Sequence, residues 1–559
     1  MNWSCGILAC LFLALVPTSP AITLAGWDPG GNVVCSAPHE RYDLHMVPDG
    51  ADGVFCAWTD RRDLVSQIYI QHMGPQGDML WQTDGQPISA EADNTAPVLL
   101  ADGTGGIYVV WRAGGLLVAQ HLDTDGQERW PAPVRFKLDA YSQGYCELIL
   151  DGSAGFIAVW YEMGLIEDRG VFMQRIDATG NRLWGDNGRR ICDYDGSAPR
   201  ICSDGSGGAY VAWSDRRIMP HLDIYAQHVD PAGTPLWEEN GRPICQVDYT
   251  QLNAKVVPDG TGGVYVVWRD YEQEPHGIFA QHYDNLGVRQ WQENGLPVLD
   301  NAFGSEDFAV ASDKSGGLVT VWAVGSLDGH DLRGQRLDSQ GLPLWNSDGV
   351  VISGADRDQY QPELVVASSG DSYVIWQDTR RGLCVDVFGQ KVDAAGVLQW
   401  QTDGVWVAVF DYKQLDPEIT LGGPEEFYAA WIDHRTFDEV LYLLPIGSAG
   451  SGVSEECSYL ADVPEAAGQV LLGQNHPNPF NPRTNISFWL PLALNVQLSV
   501  FDARGRIVDV LIEGQMPAGP HQVLWNGRDG GGRMAPSGTY LYQLQMQGKT
   551  MTRKMTLLR

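Results

Sequence analysis

Eight tryptophans, Trp58, Trp111, Trp160, Trp213, Trp268, Trp322, Trp376 and Trp431, recur at intervals of 49 to 55 residues. The residue thirteen places before each is His45, Val98, Glu147, Arg200, Lys255, Ala309, Glu363 and Glu418. Six of these eight side chains are ionisable, so whatever wall the repeat builds at this position is polar. Two carboxyls facing one space, as Glu363 and Glu418 would from adjacent repeats, cannot both ionise cheaply, and one is raised in pKa. Such a pair suits the binding of a cation or small ligand. It is also the minimum needed for acid–base cleavage of a glycosidic bond, with Glu147 the third carboxyl in reach. Glu147 beside Arg200 reads more plainly as a neutralising ion pair in a hydrated channel. Glu147, Arg200, Lys255, Glu363 and Glu418 are therefore the candidate ligand site, with no catalytic, cofactor-binding or metal-ligating residue assigned and no cofactor expected.

Other chemistry-bearing types repeat without converging. Gln71, Gln120, Gln174, Gln227, Gln281, Gln335 and Gln390 are followed in four repeats by His72, His121, His228 and His282. Histidines in separate repeats do not share a metal, so hydrogen bonding is the expected role. Asp60 and Arg62, Asp215 and Arg217, Asp378 and Arg380, and Asp433 and Arg435 follow the anchor Trp in the pattern Asp-x-Arg, expected as loop-tying ion pairs. No C-x-x-C pair occurs, and each Asp-Gly turn offers too few carboxylates for calcium.

The elements that carry these residues are legible around one repeat, residues 196–245. A strand from Pro199 to Cys202 meets the turn Asp204-Gly205-Ser206-Gly207-Gly208, whose glycines permit positive φ. A strand to Trp213, a third from Ile224 to Val229, a turn at Asp230-Pro231-Ala232-Gly233 and a fourth from Leu236-Trp237 through Ile244-Cys245 complete four. Four short strands with mostly apolar faces describe a β-propeller blade packed on both sides, whose first strand lines the central channel. Positions two before the channel residue, among them Asp43, Tyr145, Asn253, Asp307, Gln361 and Asp416, share its face by strand alternation. The turns at Asp230 to Trp237 lack the Ser and second Asp of the sialidase Asp-box.

The array's ends predict closure. The eighth repeat ends after its third strand, Leu441 to Ile446, without a fourth-strand Trp. Trp27 stands 31 residues before Trp58, the spacing that separates Trp237 from Trp268, Trp291 from Trp322, Trp345 from Trp376 and Trp400 from Trp431. Trp27 to Cys35 is thus the expected missing strand, removing the open sheet edge. The predicted fold is all-β: an eight-bladed β-propeller of four-stranded blades closed by the N-terminal strand, followed by an immunoglobulin-like β-sandwich.

The net charge of −33 across 559 residues disfavours nucleic acid and anionic membrane surfaces as partners. An apolar run from Ile7 to Val16, followed by small residues suited to cleavage after Ala21 or Ala25, reads as a signal peptide over residues 1–26. No later run is long enough to span a bilayer. The eight remaining cysteines read as small buried residues or as disulfides of undefined pairing. The expected domains are the signal peptide at 1–26, the propeller at 27–446, a linker at 447–468 and the sandwich at 469–559.

Residues 472–486, Leu-Gly-Gln-Asn-His-Pro-Asn-Pro-Phe-Asn-Pro-Arg-Thr-Asn-Ile, open a distinct module. It continues through Val500-Phe501-Asp502-Ala503-Arg504-Gly505, Trp525-Asn526-Gly527-Arg528-Asp529 and Ser537-Gly538-Thr539-Tyr540 to a basic, apolar tail, Lys554 to Arg559. The module resembles type IX secretion sorting domains and the related immunoglobulin-like domain of flagellar hook-capping proteins. That resemblance implies passage through an outer-membrane secretion machinery and display at the cell surface or release. Alternating segments at Ile486 to Leu490, Val496 to Phe501, Ile507 to Leu511, Gln522 to Trp525 and Tyr540 to Met546 independently describe an antiparallel sandwich.

The variable loops share one face of the expected disc and carry Glu91, Asp93, Asp193, Asp195, Asp356 and Asp358, an acidic surface for a glycan or protein partner. The expectation is a noncatalytic, secreted binding or adhesion protein. The alternatives are a propeller hydrolase acting on extracellular polysaccharide and a structural surface-layer component.

Overall fold

The computed structural model describes residues 27, 31–89, 93–139, 142–164, 169–271, 277–299, 307–325, 329–382, 384–408, 413–422, 426–434, 439–447, 471–472, 475, 480, 482–490, 494–502, 504–516, 519–546 and 549–558. The signal-peptide segment at 1–26, the linker from 448 to 468, Glu91, Arg435, Cys457 and most of the proline-rich motif lie outside the described residues. The chain divides into two compact units, Met1–Ser454 and Glu455–Arg559. The described residues are all-β, and no helix among them is long and apolar enough to cross a membrane.

In the first unit the chain folds into successive four-stranded antiparallel sheets, spanning 41–87, 94–135, 142–192, 196–245, 251–299, 308–353, 357–408 and 414–447. The eighth receives its fourth strand from the other end of the chain: Asn32–Cys35 pairs with Val440–Gly447. The sixth and seventh sheets are additionally joined by a short parallel pairing of Gly329 with Arg357 and His330 with Asp358. The first strands of the eight sheets touch in cyclic order, with Arg41–Pro48 of the first returning to Gln414–Leu421 of the eighth.

The fourth sheet shows why these residues form these strands. Its members are Gly196–Ser203, Ala209–Asp215, Asp223–Val229 and Arg242–Cys245. Ala209–Asp215 is buried at every position, as a strand covered on both faces must be, and its run AYVAWSD is correspondingly apolar. Gly205 and Gly207 take φ of +76° and +90° in the preceding turn, where Asp204 Oδ1 accepts from the backbone N–H of Ser206 and Gly208 at 2.7 and 2.9 Å. The fourth strand is shorter than expected. Leu236 and Trp237 precede it in a loop, because the Trp237 ring leaves the sheet to pack on Tyr283 of the next one, at 5.2 Å between centroids.

That departure recurs and becomes the contact between neighbours. The indole N–H groups of Trp81, Trp130, Trp184, Trp291 and Trp345 donate to backbone carbonyls in the following sheet's turn at 2.9–3.3 Å. Trp27 donates likewise to Pro75 of the first sheet at 3.0 Å. Tyr210 and Tyr265 hydroxyls reach Gly262 and Gly316 carbonyls of the next sheet at 2.9 and 2.6 Å, and Tyr428 of the eighth reaches Asp52 of the first at 2.6 Å. The strand itself is Asn32–Cys35 rather than the whole of 27–35, while Trp27 performs the inter-sheet role and residues 28–30 lie outside the described residues.

The repeated polar residues satisfy buried backbone. Each of the seven glutamines is fully buried. Gln227, for example, donates from Nε2 to the Glu238 carbonyl at 2.9 Å and accepts on Oε1 from the His228 and Trp237 N–H at 3.0 and 2.9 Å. The following histidines sit 2.9–3.0 Å from Asp49, Asp102, Asp204 and Asp259, locking the Asp-Gly turns. Asp-x-Arg is more deeply placed than a loop tie. Asp60, Asp215 and Asp378 have fully buried side chains, paired with Arg62, Arg217 and Arg380 at 2.6–2.7 Å. Cys35, Cys56, Cys146, Cys192, Cys202 and Cys245 are free and buried, so they act as small core residues.

In the second unit, Thr484–Leu490 pairs with Leu471–Leu472 and Gly519–Trp525. A second sheet orders Ile507–Met516, Leu494–Asp502, Gly538–Met546 and Lys549–Leu557. The two close over one core that includes Ile486, Phe488, Val500, Trp525, Tyr542 and Leu557. The segment expected as a basic tail is a full strand: Met555 and Leu557 point inward and are fully buried, while Lys554 is exposed.

Gly77 tests the closing contact. At φ +75° a Cβ would lie 2.8 Å from the Trp27 ring and also strike Asn32. Gly103 has the same φ with open space around it. Gly77→Ala is expected to lower stability by about 2–3 kcal/mol, against about 1 kcal/mol for Gly103→Ala, which bears only the backbone cost. Urea unfolding of both variants measures the difference, and equal losses would mean that Trp27 does not seat on the first sheet.

Candidate functional site

The eight positions read from the Trp spacing lie on the first strands, and a bulge in most of those strands sets their direction. In the strands holding His45, Val98, Arg200, Lys255, Glu363 and Glu418 the pairing register slips just before these residues. The residue two earlier sits in the left-handed region: Asp43, Ala96, Ala198, Asn253, Gln361 and Asp416, at φ +47° to +56°. The extra residue on the strand is a β-bulge, which turns these side chains out of the ladder. The position two earlier therefore reaches the common space through a left-handed kink, not through simple alternation. Asp43, Asn253, Asp307, Gln361 and Asp416 are exposed there. The third sheet differs: its slip, between Gln143 and Cys146, contains Tyr145 but no left-handed residue.

The five candidate residues separate into two groups. Glu147 and Arg200 pair at 3.2 Å; Glu147 also accepts from the Ile201 N–H at 2.7 Å, and the Arg200 guanidinium lies 4.5 Å from the Tyr145 ring centre and bonds its hydroxyl. The expected neutralising pair is present, and it holds the first strands of the third and fourth sheets together.

Lys255, Glu363 and Glu418 face a cavity of about 380 Å³, lined also by Asp43, Asp307 and Asp416. The Lys255 ammonium donates to the Phe308 carbonyl at 2.6 Å and sits 5.0 Å from that ring's centre. Burial lowers its pKa, and the Glu363 carboxylate works against that shift. Burial raises Glu363, opposed by Lys255 and Arg200. Glu418 is pushed well above the ordinary carboxylate range, first by burial and then by the charges of Glu363 and Asp416. Asp416 is raised too, by burial and by Asp43. Burial holds His45 down at about 4, so its imidazole is neutral near pH 7.

Glu418 is thus the carboxyl pushed furthest toward its protonated form, beside a Glu363 whose own upward shift Lys255 opposes. Val98 and Ala309, at the equivalent positions, contribute no polar group. Among the described residues no three histidine, cysteine or carboxylate side chains converge closely enough to hold a metal ion. Spacing alone picked out Glu363 and Glu418. Phe308 and Leu44 were missed as lining residues because they are apolar and carry no repeat signal.

On the loops, Asp193 pairs with Arg190 at 3.1 Å, Asp195 with Arg169 at 3.3 Å, and Asp358 with His330 at 2.8 Å. The expected acidic surface is therefore partly neutralised by local cations, while Asp93 and Asp356 are exposed.

No curated protein matches the chain. Among solved structures it is similar to the polysaccharide lyase Uly1, at 10% identity over 67% of this chain and 93% of that one, with a TM-score of 0.41. It is similar to PorZ, a surface component of the type IX secretion system of Porphyromonas gingivalis, at 11% identity over 92% of this chain and 75% of that one, with a TM-score of 0.23. FlgD of P. aeruginosa is 29% identical over 16% of this chain and 70% of its own length, with a TM-score of 0.13. Residues 485–550 match the family model of the FlgD Ig-like domain, so the second unit carries a domain of that family.

Proposed function

We propose that residues 27–446 form an eight-bladed β-propeller closed by the N-terminal strand, and that its channel binds a small saccharide ligand in a protein exported to the outer cell surface. The second unit serves as the sorting signal read by an outer-membrane secretion machinery, and the signal peptide at 1–26 starts the route. The observation that carries the binding role is the cavity shared by Lys255, Glu363 and Glu418, whose size suits a mono- or disaccharide. Its carboxyls accept or donate hydrogen bonds according to protonation, as the hydroxyls of a sugar require.

A second reading rests on the Glu418 carboxyl. A carboxyl pushed well above its ordinary range, beside a second one whose upward shift Lys255 and Arg200 oppose, is the kind of unequal pair a glycosidase uses for general acid and partner carboxylate. In that reading the protein hydrolyses an extracellular polysaccharide, Glu418 protonating the leaving oxygen and Glu363 serving as base or nucleophile.

One experiment addresses both. The full mature chain is titrated with oligosaccharides from a panel of extracellular polysaccharides while new reducing ends are assayed. Binding that Glu363→Gln with Glu418→Gln weakens at least about tenfold, without chain cleavage, supports the first reading. Cleavage abolished by Glu418→Gln supports the second. Binding that the double variant leaves unchanged overturns the channel site.

The raised carboxyls also fix a pH dependence. A folded-state pKa above the unfolded value means that the native state binds the proton more tightly, so this stabilisation is present at low pH and lost as pH rises through the folded pKa. Glu418→Gln is expected to raise stability at pH 7.5 by on the order of 1 kcal/mol. It should have little effect near pH 4, where the carboxyl is protonated in both states. Thermal unfolding across pH 4–8 measures this, and a uniform change at all pH values would refute the shift.

A further inference from the structure

The repeats supply internal controls, and one of them shows a carboxyl without the counter-ion that its equivalent has. In the seventh sheet Asp378 and Asp386 face each other across neighbouring strands, both fully buried. Arg380 pairs with Asp378 at 2.6 Å and Arg381 with Asp386 at 3.1 Å, one guanidinium for each carboxylate. The fourth sheet repeats the geometry: Asp215 faces Asp223, at 0% and 3% exposure.

Arg217 is committed to Asp215, through Nε at 2.9 Å and Nη2 at 2.6 Å, and Nη2 also donates to the Asn240 carbonyl at 2.6 Å. The Trp213 indole and the Cys192 thiol meet the same Asp215 oxygen at 2.8 and 3.3 Å. Where the seventh sheet has Arg381, the fourth has Ile218, 51% exposed. The Asp223 carboxyl has neither an ion pair nor a hydrogen bond among the described residues.

We propose that the loop at 216–222, which joins these two strands, is a proton-operated latch: a proton on Asp223 relieves its repulsion with Asp215 and holds the loop closed, and ionisation loosens it. The groups that face Asp223 are Asp215 on the adjacent strand, Arg217 and His221 in the loop, Tyr225 on its own strand and Cys245 on the outer strand. Burial and then the Asp215 charge raise Asp223 to about 6, with His221 and Arg217 acting in the other direction. Because the folded pKa exceeds the unfolded one, the latch is held below about pH 6 and released above it.

Hydrogen exchange of the full chain at pH 5 and 7.5, corrected for intrinsic rates, tests this. Protection of the Arg216 and Arg217 amides, which donate to the Asp195 carbonyl and the Asp215 carboxylate, is expected to fall roughly tenfold between the two, while that of Thr379 and Arg380 in the seventh sheet stays unchanged. Asp223→Asn should keep the loop protected at both pH values, and Ile218→Arg should do so by restoring the missing guanidinium. Equal protection of the wild-type loop at both pH values overturns the proposal. So does a pH response that His221→Gln removes and Asp223→Asn leaves in place.

Discussion

A buried indole N–H needs an acceptor, and much of the first unit follows from supplying one at six of the eight anchor tryptophans; those of Trp268 and Trp322 have none among the described residues. Trp58, Trp213, Trp376 and Trp431 donate to the Asp two residues on at 2.8–3.2 Å. That carboxylate, itself buried, requires a cation, and the arginine two further on provides it in the first, fourth and seventh sheets. The same guanidinium then reaches a carbonyl before the outer strand, Asp84, Asn240 or Asp403, at 2.6–2.9 Å. One polar atom in an apolar layer thus ties the second strand, its loop and the approach to the fourth strand into one network. Where the Asp is missing, the acceptor changes: Trp111 uses Asn94 and Trp160 uses Glu162.

Sheets covered on both faces also explain the division between scaffold and site. Most buried polar side chains of the repeat, the glutamines and the turn aspartates among them, are spent on backbone groups or on a partner side chain, so little free chemistry remains between sheets. What remains lies on the first strands, where the bulges swing carboxylates and one lysine into the space those strands surround. There several like charges share one concave space, which is why Glu418 and Glu363 depart from ordinary carboxyl behaviour while acids on the loops pair with neighbouring cations.

The Trp period, the glutamine ladder and the missing eighth outer strand were all legible because each is read against a local rule that recurs along the chain. The Trp27 offset located the closing segment to within a few residues. Less legible were the left-handed kinks: Asp43, Ala96, Ala198, Asn253, Gln361 and Asp416 are of four different residue types and none is a glycine, and strand alternation alone places them on the right face for the wrong reason. The final strand, Lys549–Leu557, was hidden because alternate lysine, arginine and threonine resemble a basic tail until Gly538–Met546 pairs with them.

The sequence by itself determined the elements, their repetition and the ionisable character of the central positions, since these depend on side-chain type and spacing along the chain. Only the tertiary structure decided which charges meet. Glu147 reaches Arg200 from a neighbouring sheet, Lys255 turns to a backbone carbonyl instead of a carboxylate, and Asp223 faces Asp215 without the arginine that its counterpart enjoys. Electrostatic energy depends on distance and desolvation through space: Glu147 and Arg200, 53 positions apart, acquire both only when the sheets pack, and Asp215 and Asp223 only when their strands pair and are covered.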